Sequence, residues 1–211
     1  MSDKPVIWIG SSRQDLREFP PAARRKAGFE LQAVQRGESP SDFKPIPSVG
    51  PGNYEIRIRI GDAFRVFYVT RFEEGMYSTR SKKRPKKHPN VISKSGDNVT
   101  KRRKNHIARR VKSAEEKSIV RGSGNVFRDL GFSSPEAANL KIRADLMLDL
   151  RRFIQEQKWS QAEAAAFFAE TQPRISNLFK GEISRFSVDK LINMLTRAGI
   201  KVRVQTNLQA A

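Results

Sequence analysis

Hydrophobic and polar positions in the first third of the chain alternate between strand and helix periodicity, which predicts a small α+β domain. The run KPVIWI at 4–9 is β-branched and aromatic, which predicts a strand, and apolar residues at helical spacing predict two short helices that end near Gly37. Residues 54–60 alternate between apolar and charged, and 63–72 predict a second strand joined to them as an antiparallel hairpin. The expected order is β-α-α-β-β, and the sheet needs at least one more strand.

The last third of the chain begins with the apolar spacing of two helices. Ser134 as an N-cap, followed by a proline, begins a long helix that runs from about 135 to 157. Ser160 and Glu163 have the spacing of a capping box, which begins a second helix that ends by Glu170.

A short turn then leads to two further helices and a strand. Thr171 caps the third helix, which Gly181 terminates, and the fourth runs from Ser187 to Gly199. Residues 200–205 alternate between apolar and polar, which predicts a short strand. Four helices with a short turn between the second and the third are typical of a helix-turn-helix domain.

Positive charge is concentrated between these two regions. The chain of 211 residues has 41 Lys and Arg against 22 Asp and Glu, a formal net charge of +19. Residues 81–112 hold 13 basic side chains and one acidic side chain, and they include no Phe, Trp, Tyr, Leu or Met. Such a segment cannot fold alone, so we expect a basic, disordered linker over 78–124 between domains at 1–77 and 125–211. His88 and His106 lie in it and are expected to be solvated and unliganded.

The composition argues against several classes of protein. The chain has no cysteine and two histidines, which excludes a disulfide scaffold or a thiolate metal site and predicts neither a metal centre nor a cofactor. The opening MSDKPVIWIG is not a signal peptide and nothing later approaches a membrane span, so a cytoplasmic location without membrane contact is expected. The charge favours a polyanion, because Lys and Arg release counterions from phosphates.

Several separated motifs in the first third resemble one family. The strings WIGSSRQDLREFP, KPIPSVGPGNYEIRIR and FRVFYV resemble the phage-related, Gp49-like branch of the RelE/HigB-type toxins over about residues 5–77. The resemblance implies a small α+β domain that cleaves ribosome-bound mRNA without a metal. It also implies that Lys44, Arg57 and Arg65 lie on the RNA-facing side of the sheet as catalytic candidates.

The residue types suit that chemistry. Attack by a ribose 2′-hydroxyl needs cations that offset the charge on the phosphate and a group that moves protons. Arg57 and Arg59 fall on the polar face of their strand, although exposed strand faces usually carry charge and we favour that interpretation for Arg59. We interpret Tyr68 as a half-buried aromatic of the sheet rather than as a catalytic phenol.

The resemblance breaks near residue 78. The family continues with a strand and a helix resembling LHAFQKKxQKTPxxDI, whose His and Lys contribute to its active site, whereas this chain continues YSTRSKKRPKKHPN from Tyr77. Regrouping the codons of 77–101 by one base, with suitable third bases, recovers much of the family's sequence in order.

We infer that residues 78 to about 110 are read out of frame relative to an ancestral toxin gene. The missing strand is then absent, and the toxin-like domain is truncated, marginally stable and inactive. The alternative is a basic arm that evolved to bind nucleic acid.

The last third resembles the antitoxin half of the same operons, a HigA-type, Xre/Cro-like helix-turn-helix domain. The match runs almost unbroken over 125–204, and TQPRISNLxxG is its most specific part. The turn Ala169-Glu170-Thr171 lacks the glycine that the family commonly has there, which is expected to strain or reshape it. The resemblance implies a double-stranded DNA operator as the partner.

The third predicted helix carries most of the candidate base-reading residues. Gln pairs naturally with adenine and Arg with guanine, while small polar and basic side chains hold phosphates. The predicted DNA-binding residues are Gln161, Thr171, Gln172, Arg174, Ser176, Asn177 and Lys180. Taken singly, each is explained equally well as a solvated polar residue on a helical bundle.

The favoured function is that of an antitoxin-type transcriptional repressor of a type II toxin–antitoxin system, fused to an inactive toxin remnant. Two alternatives stay open. One is an active ribosome-dependent mRNA endonuclease regulated in cis by the antitoxin domain, and the other is a nonspecific nucleic-acid binder driven by the central cations. The strand at 200–205 either pairs with its copy, giving a homodimer that reads a pseudo-palindrome, or folds back on its own domain.

Overall fold

A computed structural model describes residues 3–72, 75–84 and 119–204, and for 70–72 and 75–84 it describes the backbone. The chain divides into two compact units, with the boundary between Lys141 and Ile142. The first unit is a sheet with helices and the second is all-helical, so the predicted α+β class is confirmed.

The first unit is built on a six-stranded sheet in the order β2-β3-β4-β5-β1-β6. The strands are β1 (Val6–Ile9), β2 (Phe43–Pro45), β3 (Asn53–Ile60), β4 (Asp62–Phe72), β5 (Gly75–Arg84) and β6 (Ile119–Arg121). β3 and β4 form the predicted antiparallel hairpin. β5 pairs antiparallel with β4 and parallel with β1, and β6 pairs antiparallel with β1.

Two helices pack on one face of this sheet, as the apolar spacing predicts. They are α1 (Ser12–Arg17) and α2 (Pro21–Gln35), separated by the Pro20-Pro21 break. Both helices and alternate residues of β3 and β4 supply the buried core residues, which include Leu16, Ala23, Ala27, Leu31, Ile56, Ile58, Phe64 and Val66. The other face of β3 carries the charged residues of the alternation, so the sheet has one apolar face and one polar face.

The sheet contains the strand that the sequence predicts to be missing. Residues 75–84 form β5, so the prediction of an absent strand is wrong, and residues 78–84 belong to the sheet and not to a linker. The physical reason is that β4 and β1 each present an unpaired edge, and any extended, proline-free backbone can satisfy both ladders. β5 ends directly before Pro85, which lacks the N–H that a central strand needs. Residues 85–118, with both histidines, lie outside the described residues.

The end of the predicted linker is also structured. β6 covers residues 119–121, and a short helix that the sequence does not predict, α3 (Val126–Asp129), follows it. The Asn125 side chain caps α3 by accepting the amides of the helix's second and third residues.

α4 (Ser134–Glu156) confirms the predicted long helix, and the boundary between the two units falls within it. Its capping hydroxyl is that of Ser133 and not Ser134, since the Glu136 amide donates to Ser133 Oγ at 3.4 Å.

The second unit contains the rest of α4 and three more helices, as predicted. These are α5 (Gln161–Phe168), α6 (Gln172–Phe179) and α7 (Val188–Arg197), with a 3₁₀ turn at Ile183–Arg185. Their apolar faces form a buried core that includes Met147, Leu150, Ile154, Phe168, Ile175, Leu178, Phe186, Leu191 and Leu195. Within the described ranges, no helix is both long and apolar enough to cross a membrane.

The short strand predicted for 200–205 is not formed as far as Val204, the last residue that the structure describes. A strand needs a neighbouring backbone to accept and donate its hydrogen bonds, and residues 201–204 pair with no described strand. Gln205 lies outside the described residues.

Candidate nucleic-acid interface

The second unit presents α6 after a helix with a well-defined start. The Ser160 amide donates to Glu163 Oε2 at 2.7 Å, and the Glu163 amide donates to Ser160 Oγ at 3.2 Å, which confirms the predicted capping box. The hydrogen bond from the Ser160 backbone lowers the pKa of Glu163 below its ordinary value, so its carboxylate stays charged at the positive end of α5.

The turn between α5 and α6 is closed by a residue in the left-handed conformation. Ala169 has φ 51° and ψ 44°, and the Glu170 amide returns to the Ala165 carbonyl at 2.9 Å. Glycine is favoured in this conformation because a Cβ costs roughly 1–2 kcal/mol there. The expected strain of the glycine-free turn therefore lies at Ala169, which keeps the turn short.

One side of α6 carries polar groups at helical spacing, of which Gln172 and Lys180 are exposed and Ser176 and Asn177 are half-buried. Gln172, Ser176 and Lys180 are four residues apart in sequence, so they line one face, and Asn177 lies beside them. Ile175 and Leu178 on the opposite side are fully buried. Thr171 precedes the helix as its N-cap residue and makes no capping hydrogen bond through its side chain.

Arg174 differs from the other predicted residues of α6 because its guanidinium contacts its own unit. Its Nε lies 3.5 Å from Glu170 Oε2, its Nη1 donates to the Arg185 carbonyl at 3.0 Å, and its Cζ lies 5.7 Å from the Phe186 ring centroid. The side chain of Glu170 is 8% exposed and also pairs with Lys190. The structure thus brings Thr171, Gln172, Ser176, Asn177 and Lys180 together on α6, places the exposed Gln161 at the start of α5, and holds Arg174 towards the 3₁₀ turn.

Sequence reasoning missed Glu170 as the partner of Arg174. The signal was available, since a Glu four residues before an Arg favours an ion pair on a helix. Here Glu170 lies in the turn before α6 and Arg174 lies in α6. Glu170 also pairs with Lys190 in the first turn of α7, so the carboxylate links the two helices.

In the first unit, the three catalytic candidates lie around a buried carboxylate. Arg57 is opposite Arg65 in the β3–β4 register, and Lys44 is opposite Glu55 in the β2–β3 register. Glu55, which is 6% exposed, accepts from Arg57 Nε at 3.3 Å and from Arg65 Nη1 at 2.8 Å. Sequence reasoning missed Glu55, although its position in the alternation of β3 places it on the polar face with Arg57.

A second carboxylate takes up the neighbouring cations. Asp42 Oδ2 lies 3.3 Å from Arg59 Nη2, and Asp42 Oδ1 lies 3.9 Å from Arg57 Nη1. The side chain of Arg59 is 73% exposed, which agrees with its interpretation as an ordinary surface charge. Lys44 is exposed. The two carboxylates largely offset the charge of the three arginines on this face.

Tyr68 belongs to the sheet, as interpreted from the sequence, but it is buried in the core and not half-buried. It is 3% exposed and stacks on Tyr54 with ring centroids 5.3 Å apart. Burial, together with the nearby Tyr54 and Glu30, raises the pKa of Tyr68 far above its usual range, so the phenol keeps its proton. Across the ranges that the structure describes, no three His, Asp or Glu side chains cluster in a way that could hold a metal ion.

The two units are a small α+β domain with a mixed charge cluster on its sheet and a helix-turn-helix domain with a polar face on α6. Comparison with protein families agrees with both parts. The family described as phage derived protein Gp49-like matches residues 14–112, and the family described as helix-turn-helix domain matches residues 126–207. No curated protein matches the chain significantly. The chain therefore combines a Gp49-like, RelE/HigB toxin-like domain with a helix-turn-helix DNA-binding domain, which is the composition of a toxin–antitoxin fusion.

Proposed function

We propose that the protein is an antitoxin-type transcriptional repressor that binds the operator of its own operon. The observation that carries this function is the row of Gln172, Ser176 and Lys180, exposed at both ends and half-buried at Ser176, on a short helix directly after a capped helix and a tight turn. A glutamine near the N-terminus of such a helix suits an adenine edge in the major groove, and serine and lysine suit phosphates. A repressor that acts on chromosomal DNA works in the cytoplasm, which is the location that we propose.

Arg174 enters this interface only by exchanging partners. Its guanidinium is charged and forked, so it suits guanine O6 and N7, but in the free protein Glu170 and the Arg185 carbonyl occupy it. Binding at a guanine must therefore offset the loss of these contacts.

We propose that the repressor acts as a homodimer on a pseudo-palindromic site. Residues 201–204 pair with no strand among the described residues, and Val204 is 77% exposed. Pairing with the same segment of a second copy would satisfy that backbone and place two copies of α6 on one operator. Sedimentation equilibrium of the full chain tests this, and a monomer at all concentrations would contradict it.

The toxin-like unit is proposed to be an inactive remnant. Glu55 already binds both arginines, so much of their charge is offset before any phosphate arrives. The specific observation that favours the alternative, an mRNA endonuclease restrained in cis, is the complete sheet with Lys44, Arg57 and Arg65 gathered on it.

Operator binding is tested with the full-length protein on DNA from upstream of its gene. Gln172→Ala is expected to weaken binding to the preferred site by about 1–3 kcal/mol, roughly 5- to 150-fold, and to leave the affinity for nonspecific DNA unchanged. Lys180→Ala should weaken binding to specific and nonspecific DNA alike. The slope of log K against log salt concentration should become shallower by about one. Gln155→Ala, an exposed glutamine on α4, is the matched control.

Footprints at several salt concentrations then separate this function from nonspecific binding. Equal loss with Q172A and Q155A, or no preferred site at any salt concentration, would contradict sequence-specific repression.

The state of the toxin-like unit is tested by expressing the chain with and without the reading frame restored at codon 78. We expect the natural chain to leave growth and mRNA intact and the restored chain to degrade mRNA. If the natural chain cleaves ribosome-bound mRNA and R57A or R65A abolishes cleavage, the endonuclease function stands instead.

A further inference from the structure

The segment of residues 119–141 belongs to one unit by packing and largely to the other domain by sequence. The helix-turn-helix family match begins at residue 126, yet the first compact unit extends to Lys141. The Gp49-like match, in contrast, ends at residue 112. β6, α3 and the first two turns of α4 therefore pack as part of the toxin-like unit.

The ring of Phe127 in this segment packs directly against Gly28 of α2. Phe127 is fully buried, and a Cβ added at Gly28 would lie 2.5 Å from Phe127 Cε1 and 2.6 Å from Phe127 Cδ1. Glycine in a helix interior costs about 1 kcal/mol relative to alanine, and Gly28 lies in the middle of α2. The ring of Phe127 explains this glycine, because no larger residue leaves room for the ring.

A buried polar contact lies beside this pair. Asp129 is 2% exposed, and its Oδ2 accepts from Trp8 Nε1 at 3.1 Å while its Oδ1 accepts from the Ser123 amide at 3.0 Å. Its backbone carbonyl accepts from Arg17 Nε at 2.8 Å and from Arg13 Nε at 3.2 Å. Each oxygen of Asp129 thus accepts a hydrogen bond, from α1, from β1 or from the loop that follows β6.

The rim of the contact is electrostatically complementary. Arg25 on α2 lies 3.5 Å from Glu136, and Lys141 Nζ lies 2.8 Å from Asp3 Oδ2. The guanidinium of Arg24 lies 4.6 Å from the Phe132 ring centroid. A buried aromatic and a paired carboxylate at the centre, with ion pairs around them, have the composition of a protein–protein interface.

We propose that residues 119–141 form a recognition element for the Gp49-like fold, and that Phe127 and Asp129 set its specificity through Gly28 and Trp8. The element binds a separate Gp49-like domain that has glycine and tryptophan at the positions of Gly28 and Trp8. In this chain the element is already bound to the Gp49-like domain of the same molecule. The proposal rests on the proposed function only in treating the sequence from about residue 125 as antitoxin-derived, and it does not require operator binding by α6.

The pairing is first tested in the full-length chain by a double-mutant cycle. Gly28→Ala should lower the melting temperature of the first unit in the wild-type background because its Cβ meets the Phe127 ring. In a Phe127→Leu background, the same change should be neutral or stabilising, since alanine favours the helix once the ring is gone. A loss of the same size in both backgrounds would overturn the pairing.

Recognition in trans is tested with a synthetic peptide of residues 117–143 added to the full-length F127L chain. The wild-type peptide should bind and raise the melting temperature of the first unit with increasing concentration. The F127L peptide should bind at least about tenfold more weakly, and the R128A peptide, changed at an exposed position of α3, should behave as the wild type. A G28A/F127L chain should not be rescued.

The outcomes of the peptide experiment are decisive. Equal binding of the wild-type and F127L peptides, or equal rescue of the chains with and without G28A, would overturn the recognition element. If F127L destabilises the chain too far, an Asp129→Asn chain, which keeps Trp8, replaces it, with an Asp129→Ala peptide as the weak binder and the wild-type peptide as the strong one. Operator footprints of the same proteins report separately on α6, so the two proposals fail independently.

Discussion

The first unit depends on partners more than 100 positions apart in the chain, whereas the side-chain contacts of the second unit join residues much closer in sequence. Trp8 and Asp129, which share a buried hydrogen bond, are 121 positions apart, and β1 lies between strands from residues 75–84 and 119–121. In the second unit, Ser160 accepts a hydrogen bond from the Glu163 amide, three positions on, and Glu170 pairs with Arg174, four positions on. The first unit therefore forms only when distant segments meet, and it carries the larger loop-closure cost in folding.

Phe127→Ala is expected to have the largest effect. Removing this buried ring should cost about 3–5 kcal/mol and should destabilise the first unit, although the residue lies within the helix-turn-helix family match. Hydrogen exchange should show lost protection in β1 and α2 with α6 unchanged. Phe168→Ala in the second core is the matched control and should give the reverse pattern. Equal loss in both units after either change would break the comparison.

Glu55→Ala is expected to destabilise the first unit by about 1–3 kcal/mol. The change leaves Arg57 and Arg65 without their shared acceptor, although both are one-third exposed and regain part of their hydration. Urea unfolding measures the loss. Asp42→Asn, at a more exposed pair, should cost less than about 1 kcal/mol. A larger cost for D42N than for E55A would show that Glu55 does not hold this face together.

Ala169→Gly is expected to stabilise the second unit by about 1 kcal/mol, because it removes the steric strain of a Cβ in the left-handed conformation. Thermal unfolding followed at Trp159 reports on this unit. Ala166→Gly, exposed within α5, has ordinary helical geometry and should cost about 0.5–1 kcal/mol. The same sign for both glycines would contradict a strained turn.

Asp3→Asn is expected to have the smallest effect and to appear as a pH dependence. Burial raises the pKa of Asp3, but hydrogen bonds from Lys141 and Gln32 outweigh it, so the pKa lies below its ordinary value of 3.8. A depressed pKa contributes stability that is present above that value and is lost as the pH falls through the folded-state pKa. The contribution should be under about 1 kcal/mol, and wild type and D3N should converge in stability at low pH. Curves that stay parallel down to acid pH would contradict this.

Elements held by contacts between residues close in sequence were predictable, and those that depend on distant residues were not. The hairpin of β3 and β4, the two helices α1 and α2, and the starts of α5 and α7 were predictable from alternation, spacing and caps. β5 was not, because its residues carry no alternating apolar pattern and its place depends on two open edges elsewhere. Of the candidate sites, the row on α6 followed from spacing, while Glu55 and Glu170 emerged only as partners in space.

The sequence by itself determined that this protein joins a Gp49-like domain to a helix-turn-helix domain, because both leave local periodicities and motifs that do not depend on distant contacts. Only the tertiary structure decided that residues 119–141 pack with the first unit, that Asp129 meets Trp8, and that Arg174 is engaged by Glu170. Such pairings depend on distances between side chains far apart in the chain or across a turn. The order of residues constrains those distances only through the fold.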